Sequence, residues 1–260
     1  MMERLDRRIF GAIEFVDALS DAPLRAPLHI DAPGLRLLPN RRGLYVIHAV
    51  DAEDDYTRAF DDPPAVPPRR DFRLTIHDPQ QHYLPQTLTL ALPRLLPQPG
   101  VPLDDVDNAQ RPLRVRLYPS ADRPLRAAWA VLRLAVQLPG GVGLANVVIE
   151  AQPRLAGQPL RHTLTDAHGE ALLVIPGMPA ILPDAGGPAG LSREFRLGLQ
   201  LLLDPAVVVR SDAAAVPVPD LRAVLARREA GVPALRVISP ADPLLSAGSS
   251  RRHVETVSWP

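Results

Sequence analysis

Apolar and polar residues alternate in short segments along most of this chain. In Phe72-Arg73-Leu74-Thr75-Ile76 every second residue is apolar, and the segment from Phe195 to Leu203 carries the longest stripe of this kind. A repeat of two is the pattern of a half-buried β-strand. On this pattern and on shorter apolar runs, strands are predicted at residues 9–15, 28–30, 35–38, 44–50, 72–76, 88–92, 132–138, 146–150, 162–164, 171–175, 195–203 and 235–239.

A turn that ends in glycine and leads into an apolar strand occurs twice. The two strands are Gly43–Ile47 and Gly169–Ile175, and strands that begin at Phe72 and Phe195 follow them. The glycines are 126 residues apart and the phenylalanines 123. The similar spacing predicts one β module used twice.

The predicted organisation is mainly β, with two tandem antiparallel β-sandwich modules at residues 1–92 and 113–210. Between them, residues 93–112 hold five prolines and little periodicity, which is typical of a linker. Residues 211–260 are predicted to form a short helix, a strand and an extended arm. Asp220 is the expected N-cap of that helix and Gly231 its left-handed end.

The last residues, 247–260, are too few to form a core of their own. Val254, Val257 and Trp259 are apolar anchors within this polar segment. An extended segment can add to an exposed sheet edge of another protein, so these three residues are predicted to dock on a partner subunit. The alternative is a disordered chain end.

Charge and composition restrict the partners. The 29 basic residues, all arginine, balance 29 acidic ones without forming a one-signed face, so nucleic acid is not expected as a partner. The chain has no cysteine, which excludes disulfides and thiolate metal sites. Glu14 and Asp17 interrupt the first apolar segment, and no run reaches the 18 or so apolar residues of a membrane span. Synthesis in the cytoplasm without a signal peptide, and no membrane insertion, are therefore expected.

Two groups of residues carry metal-ligating side chains at close spacing. His77, Asp78 and His82 lie across a proline turn but lack the third ligand of defined geometry that a zinc site needs. Acidic residues alternate through Asp51–Asp55 as in a calcium loop, yet Tyr56 stands where the loop requires glycine. Both segments are interpreted as solvated loops, and no metal or other cofactor is expected.

Catalytic patterns are incomplete. The glycine-rich segment Pro139–Ala145 leads into a predicted strand rather than the helix a dinucleotide needs, and a chain without lysine has no P-loop. Ser192 lacks the closing glycine of a nucleophile elbow. The carboxylate pairs Asp61-Asp62 and Asp104-Asp105 lie in proline-rich loops with little apolar periodicity nearby to bury a carboxyl and raise its pKa. The protein is predicted not to be an enzyme.

The segment Leu164–Ile175, with Thr165, Asp166 and Gly169 in its turn, resembles the hairpin of carboxypeptidase-regulatory-like and Cna-B-like domains. This resemblance implies an Ig-like, prealbumin-type β-sandwich of about seven strands. In such a turn the aspartate accepts backbone hydrogen bonds and glycine supplies a positive φ. The segment from Pro39 to Ile47 is similar but lacks the Thr-Asp pair.

The order of segments from Arg8 through Gly43–Ile47 to Arg116–Ser120 resembles accessory proteins of phage-tail-like contractile injection systems. This implies a structural subunit of the baseplate or another accessory part, with other protein subunits or further copies of itself as partners. The alternative is a binding module for carbohydrate or peptide at a cell surface. Grouped surface aromatics would favour carbohydrate, and the sequence does not group them.

Overall fold

The structure is a computed structural model that describes residues 9–51, 68–94, 111–125, 129–176, 194–246 and 248–259. Strand makes up 49% of it, and the described residues form one short helix. The mainly β prediction is confirmed.

Seventeen strands and one helix follow each other along the described chain. They are β1 (Gly11–Asp17), β2 (His29–Asp31), β3 (Leu35–Pro39), β4 (Leu44–Val50), β5 (Arg70–His77), β6 (Gln86–Leu92), β7 (Leu113–Leu117), β8 (Ala130–Gln137), β9 (Leu144–Ala145), β10 (Val148–Pro153), β11 (Arg161–Leu164), β12 (Glu170–Ile175), β13 (Glu194–Leu203), β14 (Val209–Arg210), α1 (Leu221–Glu229), β15 (Arg236–Ile238), β16 (Leu244–Ser246) and β17 (Ser250–Thr256). The apolar residues of the alternation predicted in β1, β6, β8 and β13 are buried, and in β5 Leu74 and Ile76 are. Ile9, the first residue of the predicted strand 9–15, is an exception, because it lies before β1 and is 60% exposed. The end of β13 is buried on both faces, since Leu202 is 0% exposed.

Contacts divide the chain into two units. The first unit comprises residues 1–79 and 86–117, and the second comprises residues 80–85 and 118–260. The first unit has a sheet of order β3-β4-β1-β7 and a second of order β2-β5-β6. Ile13 and Ile47 of the first sheet and Leu74 and Ile76 of the second are at most 1% exposed. Both sheets therefore contribute buried side chains to this unit.

The division differs from the predicted modules at β7. The sequence assigned residues 113–117 to the second module, whereas β7 pairs in parallel with β1 of the first unit, with Ile13 opposite Leu113. Most of the predicted linker, residues 95–110, lies outside the described residues, so the linker stays a prediction.

The second unit has a sheet of order β11-β10-β13-β15, with β16 also paired to β13, and a sheet of order β12-β8-β17. A short pair, β14-β9, completes it. One cluster of buried side chains joins the sheets, with contributions from β8, β10, β12 and β13. The stripe predicted from Phe195 to Leu203 supplies one side of this core.

The two glycine-ended turns have the same hydrogen bonds. The Oδ1 of Asn40 accepts from the backbone N–H groups two and four residues later at 2.9 and 3.0 Å. The Oδ1 of Asp166 does the same at 2.8 and 2.9 Å. Gly43 and Gly169 have φ of +85° and +82°, a region that favours glycine. Asn40 and Asp166 lie 126 residues apart like the glycines. The two turns therefore have the same local geometry, and the repeated module stays a prediction.

Strand pairing also recurs between the units. The first strand of each, β1 or β8, has an antiparallel neighbour, β4 or β12, and a parallel neighbour late in the unit, β7 or β17. The pairs β2–β5 and β10–β13 correspond as well. The difference is in the strand before the turn, because β3 pairs with β4 whereas β11 pairs with β10.

This difference corrects the hairpin that the sequence predicted at Thr165–Gly169. The turn connects β11 of one sheet to β12 of the other. Thr165 holds the end of β11 in its sheet, because its Oγ1 accepts from the Val147 N–H at 2.9 Å and donates to the Leu144 carbonyl at 2.7 Å. A Cβ on Gly169 would lie 2.7 Å from the Leu144 nitrogen, so the turn packs directly against backbone.

Three smaller predictions have clear outcomes. The glycine-rich segment is a turn between β8 and β9, with the Leu138 N–H donating to the Val142 carbonyl at 2.8 Å. Asp220 caps α1 by accepting from the Ala223 N–H at 3.1 Å, and Gly231 has φ of +65°. Both are confirmed.

Two predicted faces are wrong. In the strand predicted at 146–150, alternation puts Asn146 on the polar face with Glu150. Asn146 is instead 4% exposed with φ of +64°, and its Nδ2 donates to the Val207 and Pro217 carbonyls. In the strand predicted at 235–239, alternation groups the apolar residues Leu235 and Val237 on one face, but Val237 is 37% exposed while Ile238 packs against the core. A short strand has too few residues to define its face without its neighbours.

Candidate functional site

The C-terminal segment, predicted to be a free arm, is a strand of its own unit. β17 pairs in parallel with β8 from Ser250 opposite Val131 to Thr256 opposite Gln137. Val257 is 4% exposed within the core, and Trp259 packs partly buried against it. Val254 is 49% exposed. The prediction of a free arm is therefore wrong, because two of its three anchors pack inside the unit. Docking on a partner stays a prediction, with Val254 as the exposed anchor.

The backbone of β17 has one paired side and one open side. The Ser249 carbonyl accepts from Val131 at 2.8 Å, and the Val257 N–H donates to Gln137 at 2.8 Å. Backbone groups alternate in direction along a parallel strand. The N–H and C=O groups of Arg252 and Val254 therefore point away from β8, toward a side that no other described strand pairs with.

Charged side chains accompany this open edge. Arg252 contacts Glu170 at 3.1 Å, and His253 lies 3.3 Å from Glu255. Arg251 is 4.0 Å from Glu194. Charges on an edge strand discourage indiscriminate pairing, so a strand that adds here must offer complementary charges.

A groove of about 400 Å³ lies in the first unit. Residues of β2, β3 and the start of β4 line it together with the segment 24–28. The Tyr45 hydroxyl accepts from the Leu28 N–H at 3.0 Å, which holds that segment in place. A Cβ on Gly43 would lie 2.9 Å from the Leu24 carbonyl oxygen, so the glycine of the turn also permits this close approach.

The lining of the groove is mainly apolar and includes Asn40 and two cations. Leu24, Leu28 and Leu37 are half-buried, and Arg25 and Arg41 are exposed at the rim. None of the described residues that line the groove is a carboxylate. No sequence motif indicates this site, because its residues, spread between 24 and 45, meet only in the folded unit.

The predicted histidine group is rearranged by the fold. His77 lies directly opposite His29 across β5 and β2, with ring centroids 6.5 Å apart. His82 belongs to the second unit. Among the described residues no three histidine or acidic side chains come together as metal ligands. The antiparallel register of β2 and β5 would have revealed the His29–His77 pair.

The remaining sequence candidates lie mostly outside the described residues. These are the segment 52–55, Asp61-Asp62, Asp104-Asp105 and Ser192. Asp51 is described and is exposed.

Two ion pairs in the second unit fix local geometry. The Arg210 Nη2 lies 2.6 Å from the Asp212 Oδ2. This side-chain hydrogen bond lowers the pKa of the Asp212 carboxyl and raises the pKa of Arg210. Arg227 of α1 pairs with the buried Asp204 that follows β13, which ties the helix to the sheet.

Comparison with protein families, curated proteins and solved structures gave no match. The resemblances to carboxypeptidase-regulatory-like domains and to injection-system proteins therefore rest on the sequence motifs. Within the part of the chain that the structure describes, no helix has the length and apolar character to cross a membrane.

Proposed function

We propose that this protein is a non-enzymatic structural subunit of a larger protein assembly, built from two tandem β-sandwich modules. Their strands pair antiparallel except for one parallel pair in each unit, β1–β7 and β8–β17. Two observations support the modules. Each unit has two sheets that contribute buried side chains, and each uses the same turn before β4 or β12. The recurring pairing of the first strand adds to this.

The observation that carries the assembly function is the open edge of β17. The outward N–H and C=O groups of Arg252 and Val254 are arranged as an unpaired ladder, beside a valine that is 49% exposed. A strand from another subunit can add to such an edge, with main-chain hydrogen bonds providing affinity and side chains providing specificity. Arg252 and Glu255 supply charges that select the partner.

The particular assembly follows from the resemblance alone. The order of segments favours a component of a phage-tail-like contractile injection particle, in the baseplate or another accessory part. The partners are other protein subunits of that particle or further copies of this chain. The protein is made in the cytoplasm and then joins the particle.

The experiment is an edge-blocking substitution, Val254→Pro. Proline removes the outward N–H of residue 254 and leaves the hydrogen bonds to β8 in place, which is why proline is tolerated at the free side of edge strands. Wild type and variant are expressed in the native cells with the same affinity tag. Wild type is expected in a complex of defined mass by native mass spectrometry, and the variant as a free, folded chain.

Two results would contradict the proposal at different levels. A wild-type chain that is monomeric and co-purifies with no other subunit at stoichiometric yield would remove the assembly function. A variant that enters the complex as wild type does would keep the function but reject β17 as the interface. The matched control is Val237→Pro, the same substitution at an exposed valine on β15 of the other sheet. The two variants are compared for entry into the complex once their melting temperatures are found to be equal.

The groove favours a second candidate, a binding module for peptide. Its volume of about 400 Å³ is within the roughly 300–1,000 Å³ of ligand pockets. Carbohydrate binding is less favoured, because each aromatic side chain that the structure describes is buried or half-buried and so offers no stacking platform. Binding of the fluorescently labelled protein to a glycan array would reverse this preference and favour carbohydrate over peptide.

A further inference from the structure

The two units treat one sheet edge differently. In the second unit, β10 pairs with β13 on one side and with β11 on the other, with Val148 opposite Leu164. In the first unit, the corresponding strand β2 pairs with β5, and β3 pairs with β4 of the other sheet instead. Among the described strands, the side of β2 that corresponds to the β11 side of β10 is therefore unpaired.

The groove of the first unit lies at this unpaired edge. Ile30 belongs to β2, and Leu37 and Pro39 belong to the displaced strand β3. The second unit thus provides an internal example of what fits here, an antiparallel strand whose side chains enter the gap between the sheets. The apolar lining suits every second side chain of such a strand.

The charges around the groove indicate which polar side chains a bound strand would carry. Arg25 and Arg41 are the charged residues of the lining, and both are exposed. An arginine guanidinium binds a carboxylate through two parallel hydrogen bonds. Because no described carboxylate lines the groove to compete, acidic side chains are the complementary ligands.

We propose that this groove binds an extended acidic peptide segment of a partner subunit, which adds as a strand to the free edge of β2. Its apolar residues enter the groove beside Leu28 and Leu37, and its carboxylates pair with Arg25 and Arg41. The identity of the peptide as part of a partner subunit rests on the assembly function proposed above. The groove itself is a separate surface from the edge of β17.

The test uses two fluorescein-labelled octapeptides as probes, one alternating glutamate and valine and one alternating lysine and valine. Binding to the full chain is measured by fluorescence polarisation. The acidic peptide is expected to bind with a dissociation constant of about 100 μM or below, a range typical of short weak ligands. The basic peptide is expected to bind at least about tenfold more weakly.

Charge reversal separates this groove from general charge effects. The double variant Arg25→Glu with Arg41→Glu should lose the acidic peptide and gain the basic one. The matched control is Arg36→Glu, an exposed arginine of β3 that does not line the groove, and it should bind the acidic peptide as wild type does. An acidic peptide with proline at alternate positions should not bind, because it lacks the N–H groups of a strand.

Several outcomes would overturn the proposal. These are equal affinity for both peptides, unchanged affinity in the Arg25/Arg41 variant, or retained affinity of the proline peptide. A concentration-dependent dimer that the double variant abolishes would make a second copy of this chain the occupant. Binding that appears only after deletion of residues 52–67 would assign the groove to this chain's own acidic segment. The Val254→Pro experiment measures assembly through the edge of β17, which is a different surface. A groove that binds no acidic peptide can therefore be distinguished from a failure of the proposed assembly function.

Discussion

The replacement of Val257 by alanine tests whether the C-terminal strand is part of the folded core. Val257 is 4% exposed within the core cluster of the second unit. Val254, three residues earlier, is 49% exposed. The same substitution at Val254 is therefore a matched control, with identical chemistry and a different environment.

The expected magnitude follows from burial. Valine to alanine removes two carbon groups, each worth about 0.8 kcal/mol when buried. The cavity that remains adds to this loss, so Val257→Ala should lower the free energy of unfolding by about 2–3 kcal/mol. Val254→Ala should lower it by less than about 1 kcal/mol, because half of the side chain is already in water.

Urea unfolding followed by tryptophan fluorescence measures the difference. Both tryptophans of the chain, Trp129 and Trp259, belong to the second unit, so the signal reports that unit. The free energy is obtained by linear extrapolation to zero urea. A third variant that ends at residue 249 lacks β17. Its free energy of unfolding should fall by more than that of Val257→Ala, because all pairing between β17 and β8 is lost. Trp129 remains in this variant and reports its unfolding.

Equal stability of the two alanine variants would refute the reasoning. So would a truncated chain whose unfolding midpoint matches wild type. Either result would return the segment to the disordered end that the sequence left as its alternative.

Three further outcomes are expected. Gly169→Ala should destabilise the second unit by several kcal/mol more than Gly157→Ala in thermal unfolding, because both have positive φ but a Cβ at residue 157 meets nothing within 4 Å; equal costs would contradict the close packing of the turn. Asp166→Asn should be nearly neutral in chemical denaturation, whereas Asp166→Ala should cost about 1–2 kcal/mol for its two lost hydrogen bonds; a costly asparagine would reject the equivalence of the turns. A pH titration by NMR should find the pKa of the Asp212 carboxyl lowered, and Arg210→Gln should raise it; since a lowered folded pKa contributes stability above the unfolded pKa that is lost as pH falls through the folded one, the two proteins should converge in stability at acidic pH.

Local patterns in the sequence were sufficient for most of the strands. The alternation from Phe72 to Ile76 and from Phe195 to Leu203 identified both the strand and its buried face, because a strand with one face in a core repeats every two residues. Glycine in the turns was equally informative, since positive φ is a local property. The equivalence of Gly43 and Gly169 followed from spacing alone, and the hydrogen bonds of Asn40 and Asp166 agree with it.

What the sequence could not determine was which strand pairs with which. The same turn connects two strands of one sheet in the first unit and strands of two sheets in the second, because pairing depends on neighbours distant in sequence. Val254 and Val257 lie in a segment whose composition is that of a polar chain end. Only the pairing of β17 with β8 distinguishes the core residue Val257 from the exposed Val254. Arg25 and Arg41 likewise become one site only where β2 and β3 part into different sheets. Local periodicity therefore decides the longer strands and their faces, whereas the faces of short strands and the edges and grooves available for binding come from long-range pairing.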